Sequence, residues 1–399
     1  MRNYAIILFR DNQQRTVIKM KNFTKILCVV LALVAALSVA SCSLTKQYAY
    51  QKDDIELPIG VYVYYMYSSY NEAQTLAQKS DLYDAATGKY DGKKSFLKME
   101  ITDEDGNTAV AEDWIIDKAK EKLQNAVAIE TKFKELGCTV DQTEAEQAKT
   151  YLQQSYWDQN LKTVLEPCGI SFDSFFMAEY LINILEKNEA FKAEYGEGGP
   201  SAVSNTELTE YFTKNYTSYK YFSANLYTTE DNGEAADTTT TTAAANTPFS
   251  EEKVAEYQKA FEGYASDISN GGSFEDAVKK YQDAYSVTDD PSTSNVEIID
   301  ENTTDELLKA IKGMKDGQAM TLEIGEDDSS KQLYVIYREP IEKQTDAYIN
   351  DTDKKATVLQ SMKGEDFDAL LKKLAEDLKV EPSSACSSYK PSIFETKKK

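Results

Sequence analysis

The sequence predicts an α+β protein in which a helical module encloses a smaller inserted unit of order β-α-α-α-β-β. Three observations carry this reading. Residues 111–216 hold four successive segments with apolar residues every three or four positions, each bounded by capping or breaking residues. At Tyr219 the period switches to two, the mark of a strand. Helical spacing returns at residues 353–379, after the last strand pattern has stopped at Pro340.

Residues 1–41 read as an export address rather than as part of the fold. Lys19, Lys21 and Lys25 lead into an apolar run at residues 26–40. A spanning helix needs about 20 apolar residues, whereas a signal-peptide core needs fewer. Translation starts at Met1 or at Met20, since Met20-Lys21-Asn22 opens a segment of ordinary signal form. Leu37-Ser38-Val39-Ala40-Ser41-Cys42 resembles the bacterial lipobox, which implies that Cys42 carries diacylglycerol and becomes the new N-terminus. Two acyl chains hold durably where one is marginal. Residues 42–54 then read as a short polar tether at the outer face of the cell membrane.

The charge balance is −23, from 44 basic and 67 acidic residues. Loss of residues 1–41 removes six basic and one acidic residue, which moves it to −28. Such a polyanion repels a phosphate backbone, so nucleic acid is not an expected partner. Histidine is absent, which removes His general bases, Ser-His-Asp and Cys-His nucleophiles and His-ligated metals. With no CxxC spacing either, no metal and no cofactor are expected. Cys28 leaves with the signal and Cys42 takes lipid; Cys138, Cys168 and Cys386 remain. Cys138 and Cys168 could pair across a helical hairpin, with Cys386 alone, but three free and mostly buried thiols are the expectation.

The helical module spans residues 55–216. In residues 61–70 a strand period and a helix period compete, and a helix from about Gly60 is favoured. Its Tyr62, Tyr65, Tyr67 and Tyr70 are candidate contacts for extended polypeptide, because each ring joins apolar area to a hydrogen-bonding tip; packing in the module's own core is the alternative. Residues 103–107 imitate a calcium loop, yet Gly106 falls at the fourth place and Trp114 stands where the bidentate Glu belongs, so a polar turn is expected. A helix over residues 111–136 carries Trp114, Ala119, Leu123, Ala126, Phe133 and Leu136, with Gly137 as its stop. Asp141 and Glu144 open a second helix with Ala148, Leu152, Tyr156 and Leu161 on one stripe, broken at Pro167 and Gly169. Phe172, Phe175, Phe176, Tyr180, Leu181 and Leu185 mark a third, and the capping box of Ser204 and Glu207 opens a fourth.

The inserted unit spans residues 217–343. Phe222, Ala224 and Leu226 lie on one face of its first strand. The threonine-rich stretch at residues 231–249 is too polar and too simple to bury area, so a mobile loop is expected. Ser250 caps a helix carrying Val254, Tyr257, Phe261, Tyr264 and Ile268; Ser273 caps the next, with Phe274, Ala277, Val278 and Tyr281. A short helix at Leu307, Leu308 and Ile311 and strands at residues 321–324 and 333–337 complete the unit. Residues 344–380 return to helix in two pieces, 353–362 and 365–379, and residues 381–399 read as a disordered tail.

Gly272-Ser273-Phe274-Glu275-Asp276-Ala277-Val278-Lys279-Lys280-Tyr281 is similar to the Gly-x-x-Phe-x-x-Leu-Ala-x-x-Tyr-Ser segment of parvulin-type peptidyl-prolyl isomerases, and Lys315-Asp316-Gly317-Gln318 resembles a turn of the same domain. With the lipobox, the helical region ending at residues 203–212 and the returning helix, most of residues 50–380 resembles the PrsA and SurA group of extracytoplasmic foldases. The resemblance implies a membrane-anchored chaperone whose partners are unfolded exported polypeptides, and it leaves a homodimer open. Departures bear on catalysis. Ala224 and Tyr334 stand near the family's two histidine positions, residues 285–296 replace its Gly-Gly-Asp-Leu-Gly segment, and its proline-pocket Met and Phe fall near Thr303 and Leu307. Isomerisation crosses a barrier of about 20 kcal/mol through a dry, shaped pocket rather than covalent chemistry. Joint loss of histidines, loop and pocket predicts no catalytic residue and no efficient isomerase, with Leu307 kept as a candidate peptide contact. The rival expectations are an active parvulin isomerase and a non-enzymatic surface-binding lipoprotein.

Overall fold

The structure, a computed structural model, describes residues 47–229 and 246–395. The expected signal segment with Cys42 and most of the threonine-rich stretch lie outside the described residues. Strands β1 (Tyr48–Lys52) and β2 (Ile55–Pro58) form a hairpin turned at Asp53, so the expected tether at residues 42–54 is already folded chain from Tyr48 onward. Pro58 leads straight into helix α1 (Ile59–Gln78). Val61, Val63, Met66, Ala73 and Ala77 are all fully buried, so this helix is apolar around most of its girth and becomes the axis of the helical body. Gly60 allows the approach: a Cβ there would lie 2.4 Å from Ser174 Oγ.

Two small hairpins follow, β3 (Tyr83–Asp84) with β4 (Lys89–Tyr90) and β5 (Glu100–Thr102) with β6 (Thr108–Val110). The second turns at residues 103–107, where the Asp103 carboxylate accepts from the backbone N–H of Asp105 and Asn107. This is the polar turn expected, and no cluster of metal-ligating side chains occurs among the described residues.

Helix α2 (Ala111–Glu135) packs along α1 and stops where Gly137 takes φ +67°. Helices α3 (Gln142–Cys168) and α4 (Phe172–Tyr195) meet at 105°. Both contain π-helical stretches, at residues 153–161 and 177–186. The wider turn rotates the apolar stripe away from 3.6-residue spacing. Trp157 and Leu165 are therefore buried while Tyr156, expected on the stripe, is 48% exposed. Helix α5 (Asn205–Asn215) carries the full reciprocal capping box of Ser204 and Glu207.

The inserted unit is a four-stranded antiparallel sheet of order β10-β7-β12-β11. It comprises β7 (Thr217–Asn225), a small hairpin of β8 (Tyr227–Thr229) and β9 (Asn246–Pro248), α6 (Glu251–Ser269), α7 (Phe274–Tyr285), β10 (Ser292–Glu297), α8 (Glu306–Gly313), β11 (Ala319–Ile324) and β12 (Gln332–Glu339). The sheet-and-helix order is β-α-α-β-α-β-β, which corrects the expected β-α-α-α-β-β. The missed strand, β10, is Ser-Thr-Ser-Asn-Val-Glu on a sheet edge, too polar to read as a strand until its pairing with β7 is seen. Helices α6 and α7 cover one sheet face around Phe222, Phe261, Tyr281 and Val335.

A short helix α9 (Thr345–Ile349) precedes α10 (Thr352–Leu378), which is one continuous helix rather than two pieces; Gly364 lowers helix propensity but does not end it. The Phe367 ring meets those of Phe191 and Tyr195 at 5.5 and 6.1 Å, and Tyr211 and Tyr216 donate to Ser361 at 2.9 Å. Residues 381–395 are ordered against this body, contrary to the disorder expected of the tail. Ser383 donates through its backbone N–H to Ala49 O at 2.8 Å and through Oγ to Tyr48 O at 2.6 Å. Cys386 is buried, and two short 3-10 turns, Ser384–Ser388 and Pro391–Phe394, satisfy the local backbone. Cys138, Cys168 and Cys386 are free thiols, the first two only partly buried.

Candidate polypeptide-binding surfaces

The aromatic cradle expected on α1 is closed. Tyr62, Tyr65 and Tyr70 are 4%, 3% and 8% exposed, and the partly buried Tyr67 lies under Phe394, whose ring also meets Tyr70. Burial pushes the phenols of Tyr62 and Tyr70 up to about 12. These four rings pack the helical core, and the cover over Tyr67 and Tyr70 comes from the tail that composition marks as disordered.

An open aromatic surface lies elsewhere, on the sheet face turned away from α6 and α7. Tyr219, Tyr221 and Ser223 alternate with the core-facing Phe222 and Ala224 along β7. Across the β7–β12 pairing, Ser223 stands opposite Tyr334, while Ala224 stands opposite Leu333. Ala224 and Tyr334, the two positions expected to mark the lost histidines, thus belong to opposite faces; Ala224 is a core residue and Ser223 is the neighbour of Tyr334. One residue of register decides this, because successive strand side chains point to opposite faces.

The face is closed at one end and open at the other. Tyr219, Ile336, Ile311 and Met314 form a buried cluster at the closed end. Tyr219 donates to Glu297 and accepts from Asn295 Nδ2 at 3.0 Å. Toward the open end Tyr221 stacks on Tyr219 at 6.4 Å and meets Tyr334 at 5.7 Å, with Leu322, Leu307 and Leu308 partly buried beside them. Tyr334 donates to Gln332 Oε1 at 2.5 Å, and Gln332 donates onward to Asn225 Oδ1 at 2.9 Å. Leu307 therefore does sit at this face, joined by Tyr221, Ser223 and Leu308, which sequence reading missed. The alternation that exposed Phe222 and Ala224 as core also implied Tyr221 on the other side.

Arg338 fixes the rim. Its Nη1 donates to the last carbonyls of α8, Ile311 O at 3.3, Lys312 O at 3.2 and Met314 O at 2.9 Å, while Nε pairs with Asp316 at 2.7 Å. A cation on the C-terminal carbonyls complements both the unpaired acceptors and the helix dipole. It thereby ties the end of α8 to β12 and to the turn before β11. The chemistry available here is binding rather than proton transfer. Burial first, then hydrogen bonding to Glu297, raises the Tyr219 phenol, and burial followed by Tyr221 raises Tyr334, so neither is a base near neutral pH.

No family model, curated protein or solved structure matches this chain. No single helix among the described residues is long and apolar enough to cross a membrane.

Proposed function

We propose that the protein is a lipid-anchored extracytoplasmic chaperone of the foldase kind, which binds segments of unfolded exported polypeptide without efficient prolyl isomerisation. The observation that carries this reading is the partly exposed tyrosine and leucine face of the inserted sheet. Tyr221, Tyr334, Leu307 and Leu308 present apolar area with hydroxyl tips to one side of a rigid sheet, a surface suited to varied chains with no fixed register. The placement of this unit between the helical body and the returning α10 supports the reading further, as do the lipobox ending at Cys42 and the absence of histidine. Acidic charge of the whole chain favours basic clients and opposes self-association.

The test pairs two assays on the full chain without its signal segment. Suppression of citrate synthase aggregation on heating, lost in Tyr221→Ser/Tyr334→Ser, is the expected result, with prolyl turnover of a tetrapeptide at background. No protection removes the chaperone reading. Turnover well above background replaces it with an active isomerase.

A further inference from the structure

Between α1, α2 and the π-helical part of α4 lies a cavity of about 190 Å³, lined by Tyr64, Tyr65, Ser68, Lys122, Glu179 and Asn183 among others. The π-helical stretch Met177–Glu186 supplies the α4 wall of the cavity through Glu179 and Asn183. The polar groups around the cavity are unevenly satisfied. Lys122 is spent at the mouth, where it donates to Ser68 Oγ at 2.9 Å and to Glu72 Oε1 at 2.6 Å. Glu179, also at the exposed mouth, accepts from Tyr64 Oη at 2.7 Å. Deeper in, Tyr65 is 3% exposed; its hydroxyl lies beside the Asn183 side chain but makes no well-formed hydrogen bond. The carboxylates of Glu179 and Glu130 act electrostatically on that hydroxyl, beside the Glu186 carboxyl, which burial drives toward its neutral form. Lys134, which acts on Glu186, pairs with Glu130 at 3.3 Å. A buried hydroxyl without a partner is unfavourable and rare in native folds. The lining carboxylate of Glu179, with Lys122 already paired to Glu72, selects a positive occupant over a neutral one.

We propose that this cavity binds a primary ammonium or guanidinium group carried on an unbranched stem. The stem lies along the Tyr64 ring, the charge pairs with the Glu179 carboxylate, and the Tyr65 hydroxyl closes the floor. Two sources share this chemistry, a lysine or arginine side chain of a bound polypeptide and a free alkylamine. The pocket itself does not depend on the chaperone reading; only its assignment to client side chains does.

Calorimetric titration of the full chain without its signal segment tests it, with N-acetyl-lysine methylamide, n-butylammonium and, as the uncharged stem, N-acetyl-norleucine methylamide. Saturable binding of the cations and none of the norleucine compound is expected. Glu179→Gln, at the exposed mouth, weakens binding by about tenfold or more, the value of one charge-assisted hydrogen bond, and Tyr65→Phe weakens it less. Binding of butylammonium alone supports the pocket and removes client lysine as its source. Cation binding in a chain that fails to suppress aggregation keeps the pocket and sinks only the chaperone reading. No saturable binding of either cation up to about 10 mM, weaker than any useful affinity, or binding unchanged in a folded Glu179→Gln, overturns the proposal.

Discussion

Replacement of Glu186 by Gln measures what a buried carboxyl does to this fold. Glu186 sits in the π-helical part of α4, 7% exposed, with Oε2 lacking a hydrogen-bond partner. Burial, and then the neighbouring Glu130, push its carboxyl well above the ordinary value, while Lys134 pulls the other way. A carboxyl that holds its proton more tightly folded than unfolded contributes most below the unfolded value of 4.5 and loses that contribution as pH rises through the folded value. The slope reaches about 1.4 kcal/mol per pH unit while the native state holds the proton and the unfolded chain does not. Glutamine has nearly the same shape and stays neutral at every pH. Urea unfolding of both proteins from about pH 4 to about pH 8 should therefore give near-equal stability at the acid end and a widening advantage for Gln above it. Carboxylates that do not interact with Glu186 cancel in the difference, whereas Glu130 titrates with it as a pair. Parallel curves, or a Gln variant less stable at neutral pH, would refute the reasoning.

Three further outcomes are expected. Trp157→Ala, at 1% exposure, costs about 3–5 kcal/mol in chemical unfolding, whereas Tyr156→Ala stays within about 0.5 kcal/mol; equal losses would remove the π-shifted stripe. Gly60→Ala drives a Cβ to 2.4 Å from Ser174 Oγ and should cost about 1–3 kcal/mol, with Ser174→Ala in the same chain recovering part of it. Arg338→Ala frees the end of α8; it should raise hydrogen exchange at residues 306–313 and weaken client protection without lowering the melting temperature of the helical body, and unchanged exchange would show that Arg338 does not hold this rim.

The helix starts were legible because their chemistry is local. Asp141, Ser204, Ser250, Ser273 and Asp305 each accept from a backbone N–H two or three residues on, and each sits just before an apolar period. What escaped the sequence was set by partners distant along the chain. β10 is a strand because β7 offers it an edge, and the tail is ordered because Tyr48 and Ala49 accept from Ser383. The burial of Tyr67 and Tyr70 turned on that same tail. Of the positions singled out in the sequence, Leu307 and Tyr334 lie on one face of the inserted sheet, while seeing Ser223 and Tyr221 beside them needed the register that places Ala224 in the core.

The meeting of β1 with Ser383 has a temporal meaning for a chain that is made from its first residue to its last. Residues 217–339 contain every strand of their sheet and can fold as soon as they emerge. The helical body waits, since its opening hairpin receives its last neighbours only when the final stretch of chain arrives. Its two ends act as a clasp, so a lesion at either terminus should be felt as the same failure to shut.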